Sequence, residues 1–150
     1  MPMTEPFILF ELAGTTYTVR SHDVQQMEMV EHITPVPNAA PFVEGVVFSR
    51  GQVIPAVNLR LRFGFKAIPH DLRTRLIVVR VDERQVGLIV DTAREFVKIP
   101  TDAIQPPPET ITGLSGRYLE GIVSLGERLV LVLDLNEVLN FADVNLSESF

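Results

Sequence analysis

Apolar residues in this chain come in short blocks separated by turn residues, a pattern of strands rather than of long amphipathic helices. Arg75–Val81 (RLIVVRV) and Leu129–Leu133 (LVLVL) are β-branched or leucine-rich runs too short for stable helices, and they read as buried strands. Val53–Val57 carries Pro55, which has no N–H for a ladder, so this strand is expected at a sheet edge or at a bulge. Turn chemistry recurs at Ala13-Gly14, Arg50-Gly51, Asp82-Glu83, Gly113 to Gly116 and Gly126-Glu127. Short strands with frequent turns point to small barrels or a sandwich. Helix signals are few. Asp134 with Glu137 three residues on has capping-box spacing, so a C-terminal helix of about two turns starts there. Asn58 predicts a single turn ending near Gly64, and Ser21–Met27 reads as one further turn capped by Ser21 or Asp23.

The pattern repeats. Residues 42–64 (FVEGVVFSRGQVIPAVNLRLRFG) recur 76 positions later as YLEGIVSLGERLVLVLDLNEVL, which superposes Phe42 on Tyr118, Glu44 on Glu120, Gly45 on Gly121 and Asn58 on Asp134. A weaker echo lays Ile8–Met27 over Ile77–Phe96 at an offset of 69, pairing Leu12 with Val81, Tyr17 with Val86 and Val24 with Ala93. Two structurally equivalent halves are implied. The change of offset needs seven extra residues in the second half, and Pro106 through Gly116 supplies them as a loop.

Composition narrows the function classes. A compact chain of 150 residues buries roughly 70% of its unfolded surface, enough for two small cores sharing an interface. No apolar run approaches the ~20 residues of a membrane span, and MPMTEPF has neither the cationic start nor the apolar stretch of a signal peptide, so a cytoplasmic protein is expected. Without cysteine there is neither a disulfide nor a thiolate site. A net charge of −6 argues against nucleic-acid binding. Charge is uneven, however: positions 50–84 hold eight Lys or Arg (50, 60, 62, 66, 73, 75, 80, 84) against three acids (71, 82, 83). That stretch is either a solvated face or a dock for an acidic partner, with Arg60, Arg62 and Lys66 at its centre.

Catalysis has little to stand on. His22, His32 and His70 sit apart in polar segments and read as solvated surface residues; no close-spaced metal set or nucleophile-base pair can be assembled. Asp91 and Asp134 both end apolar strands and suggest a carboxylate pair, yet capping accounts better for Asp134. No GxxxxGK or GxGxxG loop is present.

Ile33-Thr-Pro-Val-Pro-Asn38, Pro41-Phe-Val-Glu-Gly45-Val-Val, Arg50-Gly51-Gln-Val-Ile-Pro55-Ala-Val-Asn-Leu-Arg60, Phe63-Gly64, Val86-Gly87-Leu-Ile-Val-Asp91, Tyr118-Leu-Glu-Gly121 and Leu133-Asp134-Leu135 together resemble the CheW family of chemotaxis coupling proteins over essentially the whole chain. The resemblance implies an all-β fold: two SH3-like five-stranded β-barrel subdomains related by pseudo-symmetry, with a short C-terminal helix. Residues 1–150 would form one CheW-like domain, subdomain 1 over about 16–74 and subdomain 2 over about 77–130, with terminal segments crossing between them. It also implies a non-enzymatic adaptor, without cofactor or metal, that bridges chemoreceptor cytoplasmic tips and the regulatory domain of a CheA-type histidine kinase. Such an adaptor associates with other CheW-like copies in array rings and is recruited to membrane-associated arrays without inserting in the membrane. Receptor contact carries over to Val24, Met27, Ile33, Val36, Gly45, Arg50 and Gly51, and kinase contact to Pro55, Asn58, Leu59 and Arg60.

The chain departs from that family's usual pattern at Gln26, where a glutamate is common, at Phe48-Ser49 before the Arg-Gly pair, and at Asn58. These changes leave the fold expectation intact and bear on partner choice. Plainer readings stand beside the functional ones. Arg50 could make a surface ion pair, Val24, Ile33 and Val36 could be core, and Gly45 and Gly121 could answer only to backbone geometry. An adaptor of a non-flagellar pathway (twitching or surface sensing) and a stand-alone SH3-like peptide-binding module remain as alternatives.

Overall fold

A computed structural model describes residues 3–108 and 116–141. The expected insert at Pro106–Gly116 therefore lies largely outside the described residues. The chain runs β1 (Thr4–Leu12), β2 (Thr15–Arg20), a 3-10 turn (Ser21–Asp23), β3 (Val24–Met29), β4 (Val43–Ser49), β5 (Gln52–Asn58) and α1 (Leu59–Arg62). It continues through β6 (Arg75–Val81), β7 (Arg84–Val90), β8 (Thr92–Pro100), a second 3-10 turn (Thr101–Ala103), β9 (Leu119–Leu125), β10 (Arg128–Leu133) and α2 (Leu135–Val138).

These strands make two five-stranded sheets, ordered β8-β1-β2-β10-β9 and β3-β6-β7-β5-β4. Each is an SH3-like barrel that stays open between its two end strands among the described residues. The orders correspond strand for strand under the internal repeat. Parallel pairing occurs once in each, between β2 and β10 and between β5 and β7.

The sheets exchange more than terminal segments. One barrel is built from residues 24–90, and the other from 4–20 together with 92–133. The boundaries expected from sequence, 16–74 and 77–130, are thus displaced: the whole β1–β2 hairpin joins the later strands, and β6–β7 joins β3 to β5. Burial explains the exchange. In β1 the block Phe7-Ile8-Leu9-Phe10 is buried on both faces. Phe7 and Leu9 enter a core inside their own barrel with Ile99, Val123, Val130 and Val132, whereas Ile8, Phe10 and Leu12 face a larger core shared by the two barrels. β6 repeats the division, with Leu76 and Val78 inside the barrel of Val47 and Ile54, and Ile77 and Val79 in the shared core. A strand apolar on both faces needs cover on both.

Local chemistry agrees with the sequence in most places. The Asn58 side chain accepts from Leu61 N–H and Asp134 from Glu137 N–H, so both helices are capped as expected, although each is a single turn. Ser21–Asp23 forms a 3-10 turn without a side-chain cap, and the rest of that predicted turn is strand β3. Pro55 lies on an interior strand, not an edge, and the bulge falls at Val43/Gly45 on its partner. Its missing donor costs little there: Val46 opposite it exchanges both backbone hydrogen bonds with Thr34, and the ladder to β7 begins only at Ala56. Gly45 answers to that same approach, since a Cβ would lie 2.0 Å from the Thr34 carbonyl oxygen; at Gly121 it would lie 2.7 Å from the Gln105 oxygen.

Because the shared core draws equally on both halves, Ile8→Ala and its repeat counterpart Ile77→Ala should each cost about 2–5 kcal/mol. Urea unfolding followed by far-UV circular dichroism and by a fluorophore placed on either barrel should give one coincident transition in both variants. Two separated transitions would contradict a shared core.

Candidate interaction site

The β4–β5 hairpin turns through Arg50 and Gly51, with φ of 51° and 79°. Two-residue hairpin loops demand positive φ at both positions, which suits Gly51 and strains Arg50 by about 1 kcal/mol. The Arg50 side chain is exposed and makes no hydrogen bond or ion pair among the described residues. Ala13 and Asp82 take the same positive φ in the β1–β2 and β6–β7 turns, so the conformation belongs to the turn type, and what sets Arg50 apart is its exposed guanidinium.

This turn stands at the mouth of a cleft of about 410 Å³ where the first barrel's end strands, β3 and β4, approach each other. Val47 and Leu76 form an apolar floor; Met29, Phe48, Glu31 and His32 lie around it. Side chains close the seam that backbone bonds leave open. Gln26 donates to Ser49 Oγ, Ser49 donates to Glu28 Oε2 at 3.2 Å, and Gln26 reaches the same oxygen at 3.3 Å. Two of the three places where the chain departs from the pattern of the family it resembles therefore touch each other.

The sequence-derived receptor set is only partly gathered here. Arg50 lines the cleft and Gly51 completes its turn. Ile33 is half-buried against the barrel core below, Val24 is half-buried against the shared core, and Met27 lies on the outer face of β3, 38% exposed. Val36 is half-buried away from the cleft lining, and Gly45 is buried under Thr34, which gives it a packing role.

The kinase set fares less evenly. Leu59 is wholly buried in the shared core and Asn58 is buried as the α1 cap, where it also donates to Glu44 at 2.7 Å, so neither offers a side chain to a partner. Pro55 and Arg60 stay partly accessible. Phe48, singled out from sequence as bearing on partner choice but left out of both contact sets, and Val53, which sequence reading did not assign to a site, are cross-strand partners next to the turn and are 76% and 65% exposed. Alternation outward from the turn would have found them: they lie opposite buried Val47 and Ile54.

The basic stretch is not a continuous dock. Arg62 is buried, its guanidinium 4.8 Å from the Phe42 ring and 5.1 Å from Tyr118, and it donates to Val138 O at 3.0 Å and Asn140 O at 2.7 Å beyond α2. Arg60 is held in a bidentate pair with Asp91, at 2.7 and 2.6 Å. Asp91 also accepts from the Ala13 N–H at 2.9 Å and so joins the β1–β2 turn of one barrel to α1 of the other. Asp91 and Asp134 are each engaged in these structural bonds rather than with each other. The repeated Glu-Gly pairs diverge too: Glu120 takes a bidentate pair from Arg20, whereas Glu44 meets Asn58 and, at 3.1 Å, His70.

Residues 6–143 match the model of the CheW-like domain. The chain is 28% identical to the chemotaxis protein CheW of Klebsiella aerogenes across 97% of this chain and 87% of that protein. It is 32% identical to the chemotaxis protein CheW of Helicobacter pylori over 89% and 80% of the two chains, and 32% identical to protein FrzA of Myxococcus xanthus over 69% and 65%. The crystal structure of the scaffolding protein TtCheW from Thermoanaerobacter tengcongensis superposes with a TM-score of 0.80 at 29% identity, covering 90% of this chain and 87% of that one.

Burial opposes ionisation of Asp91, but the hydrogen bonds from Arg60 and Ala13 and the Arg60 charge outweigh it and hold the carboxyl below its ordinary value. A depressed native pKa gives stability that is present above the unfolded value, near 4, and is lost as pH falls through the native one. Asp91→Asn should therefore be less stable than wild type at pH 7 and lose less on acidification, with the two urea midpoints converging as pH falls through the depressed native value. Parallel midpoint curves would show that the pair contributes nothing to folding.

Proposed function

The chain belongs to the CheW family, and on that premise we propose that it is a chemotaxis coupling adaptor, joining chemoreceptor cytoplasmic tips to the regulatory domain of a CheA-type histidine kinase without chemistry of its own. The observation that carries this reading is the unpaired Arg50 guanidinium, kept in a strained turn beside the cleft between β3 and β4. An apolar floor bordered by the Arg50 cation and by the carboxylates of Glu28 and Glu31 suits a partner segment that inserts an apolar side chain and presents polar groups of both signs around it. The receptor side is assigned to this turn and cleft. Exposed Val53 with half-buried Pro55, and Arg60 beyond them, form the surface assigned to the kinase. No helix among the described residues is long and apolar enough to cross a membrane, so attachment to a receptor array would come through the receptor. Association with further CheW-like copies belongs to the same reading.

Pull-downs with a receptor cytoplasmic tip and, separately, with the kinase regulatory domain test it. Wild type should retain both. Arg50→Glu should lose the receptor and keep the kinase, while Arg50→Asn, which accepts positive φ more readily, should lose the receptor with its stability unchanged or raised by up to about 1 kcal/mol. Loss of both partners in a folded variant, or undiminished receptor binding, would refute the assignment.

A further inference from the structure

The internal repeat supplies a control for the first barrel's seam. At the same offsets, Gln26, Glu28 and Ser49 correspond to Glu95, Val97 and Leu125. In the second barrel Val97 and Leu125 pack on that barrel's apolar core. In the first, the matching positions hold Glu28 and Ser49, hydrogen-bonded to each other and to Gln26, with Ser49 only 7% exposed. One scaffold thus carries a hydrogen-bonded polar set at positions where its repeat carries apolar side chains. Burying a hydroxyl and part of a carboxylate where an apolar pair fits is the less favourable solution for stability, since exchanging both partners of such a bond for apolar groups is often neutral or stabilising. The polar version is immediately followed along the chain by Arg50, whose repeat counterpart is Gly126.

We propose that Gln26, Ser49 and Glu28 are positioning residues: their hydrogen-bonded brace across the open seam of the first barrel holds the Arg50 turn beside the cleft and confines receptor recognition to that barrel. The partner named here rests on the adaptor reading above. Ser49 is the last residue of β4, so its bonds to β3 fix the strand end from which the turn departs. Glu28 lines the cleft with Ser49 and Arg50, so a receptor segment entering the cleft meets all three. Among the described residues, the backbone bridge that remains without the brace joins Val46 of β4 to Thr34, in the segment that follows β3.

The decisive variant gives the first seam the second seam's residues, Glu28→Val with Ser49→Leu. Isothermal titration with a receptor cytoplasmic tip should show affinity reduced roughly tenfold, with kinase-domain affinity and urea midpoint not lowered. Arg50→Ala should cost far less in that background than in wild type, and Ser49→Thr alone, which keeps both the hydroxyl and Glu28, should bind as wild type does. Independently of any partner, 15N relaxation should report a less ordered Arg50-Gly51 backbone in the double variant. If that turn is equally ordered in both proteins, or if a folded double variant binds the receptor tip as wild type does, the brace is overturned. Should wild type itself fail to bind the tip, the adaptor reading fails, and the relaxation comparison still decides the brace.

Discussion

Everything in this molecule depends on a core that belongs to neither barrel. Ile8, Phe10 and Leu12 from one sheet and Ile77, Val79 and Leu88 from the other fill it, joined by Leu59 and Leu135 from the two helical turns. Fully burying side chains of this size is worth about 1.5–3 kcal/mol each, so a sheet left without its counterpart would expose its most apolar face. That requirement makes the middle of each strand, Phe7 to Phe10 in β1 and Leu76 to Val79 in β6, apolar at successive positions rather than alternating. It also ties the barrels into one unit, each completed by a segment from the far side of the chain midpoint.

Pseudo-symmetry then poses a problem for the adaptor role proposed above. Two barrels with the same strand order present similar surfaces, and a partner reading only backbone shape would find two sites. The chain breaks the equivalence at side chains that do not affect the shared core. Glu44 and Glu120 hold the same place and take different partners, His70 and Asn58 in one barrel and Arg20 in the other. The Arg50-Gly51 turn stands where the second barrel has Gly126-Glu127. Specificity in such a scaffold comes from local asymmetry laid on a symmetric frame.

Much of this was legible in the sequence because repetition and capping are local signals. The offsets of 69 and 76 identify the equivalent strands, and Asn58 and Asp134 announce their helical turns through side chains that reach only three residues ahead. Sheet membership was not legible. The β2–β10 and β5–β7 contacts are parallel pairings between distant segments, and nothing near Thr18 distinguishes Val132 from its repeat counterpart Ala56 as the residue to lie beside. Because both halves share one pattern, the sequence is equally compatible with two self-contained barrels and with the exchanged pair. Only burial of β1 and β6 on both faces separates them.

Charge was the least legible property, because a cation's neighbours decide what it does. Arg62 looked like part of a docking surface, yet a guanidinium is weakly hydrated and planar, and it stacks on aromatic rings more readily than an ammonium does. Packed between Phe42 and its repeat counterpart Tyr118, it donates to the carbonyls that α2 leaves unpaired and so welds the two halves at their point of closest equivalence. Arg60 is taken up by Asp91 in the same way. With Arg84 of β7, which donates to Leu139 O at 2.9 Å, three cations of the basic stretch thus hold the two halves together, and the charge left for recognition is carried by groups such as Arg50 that the fold keeps without a partner. An adaptor built this way recognises its partners through a few unpaired groups at fixed positions, and the rigidity of the shared core is what fixes them.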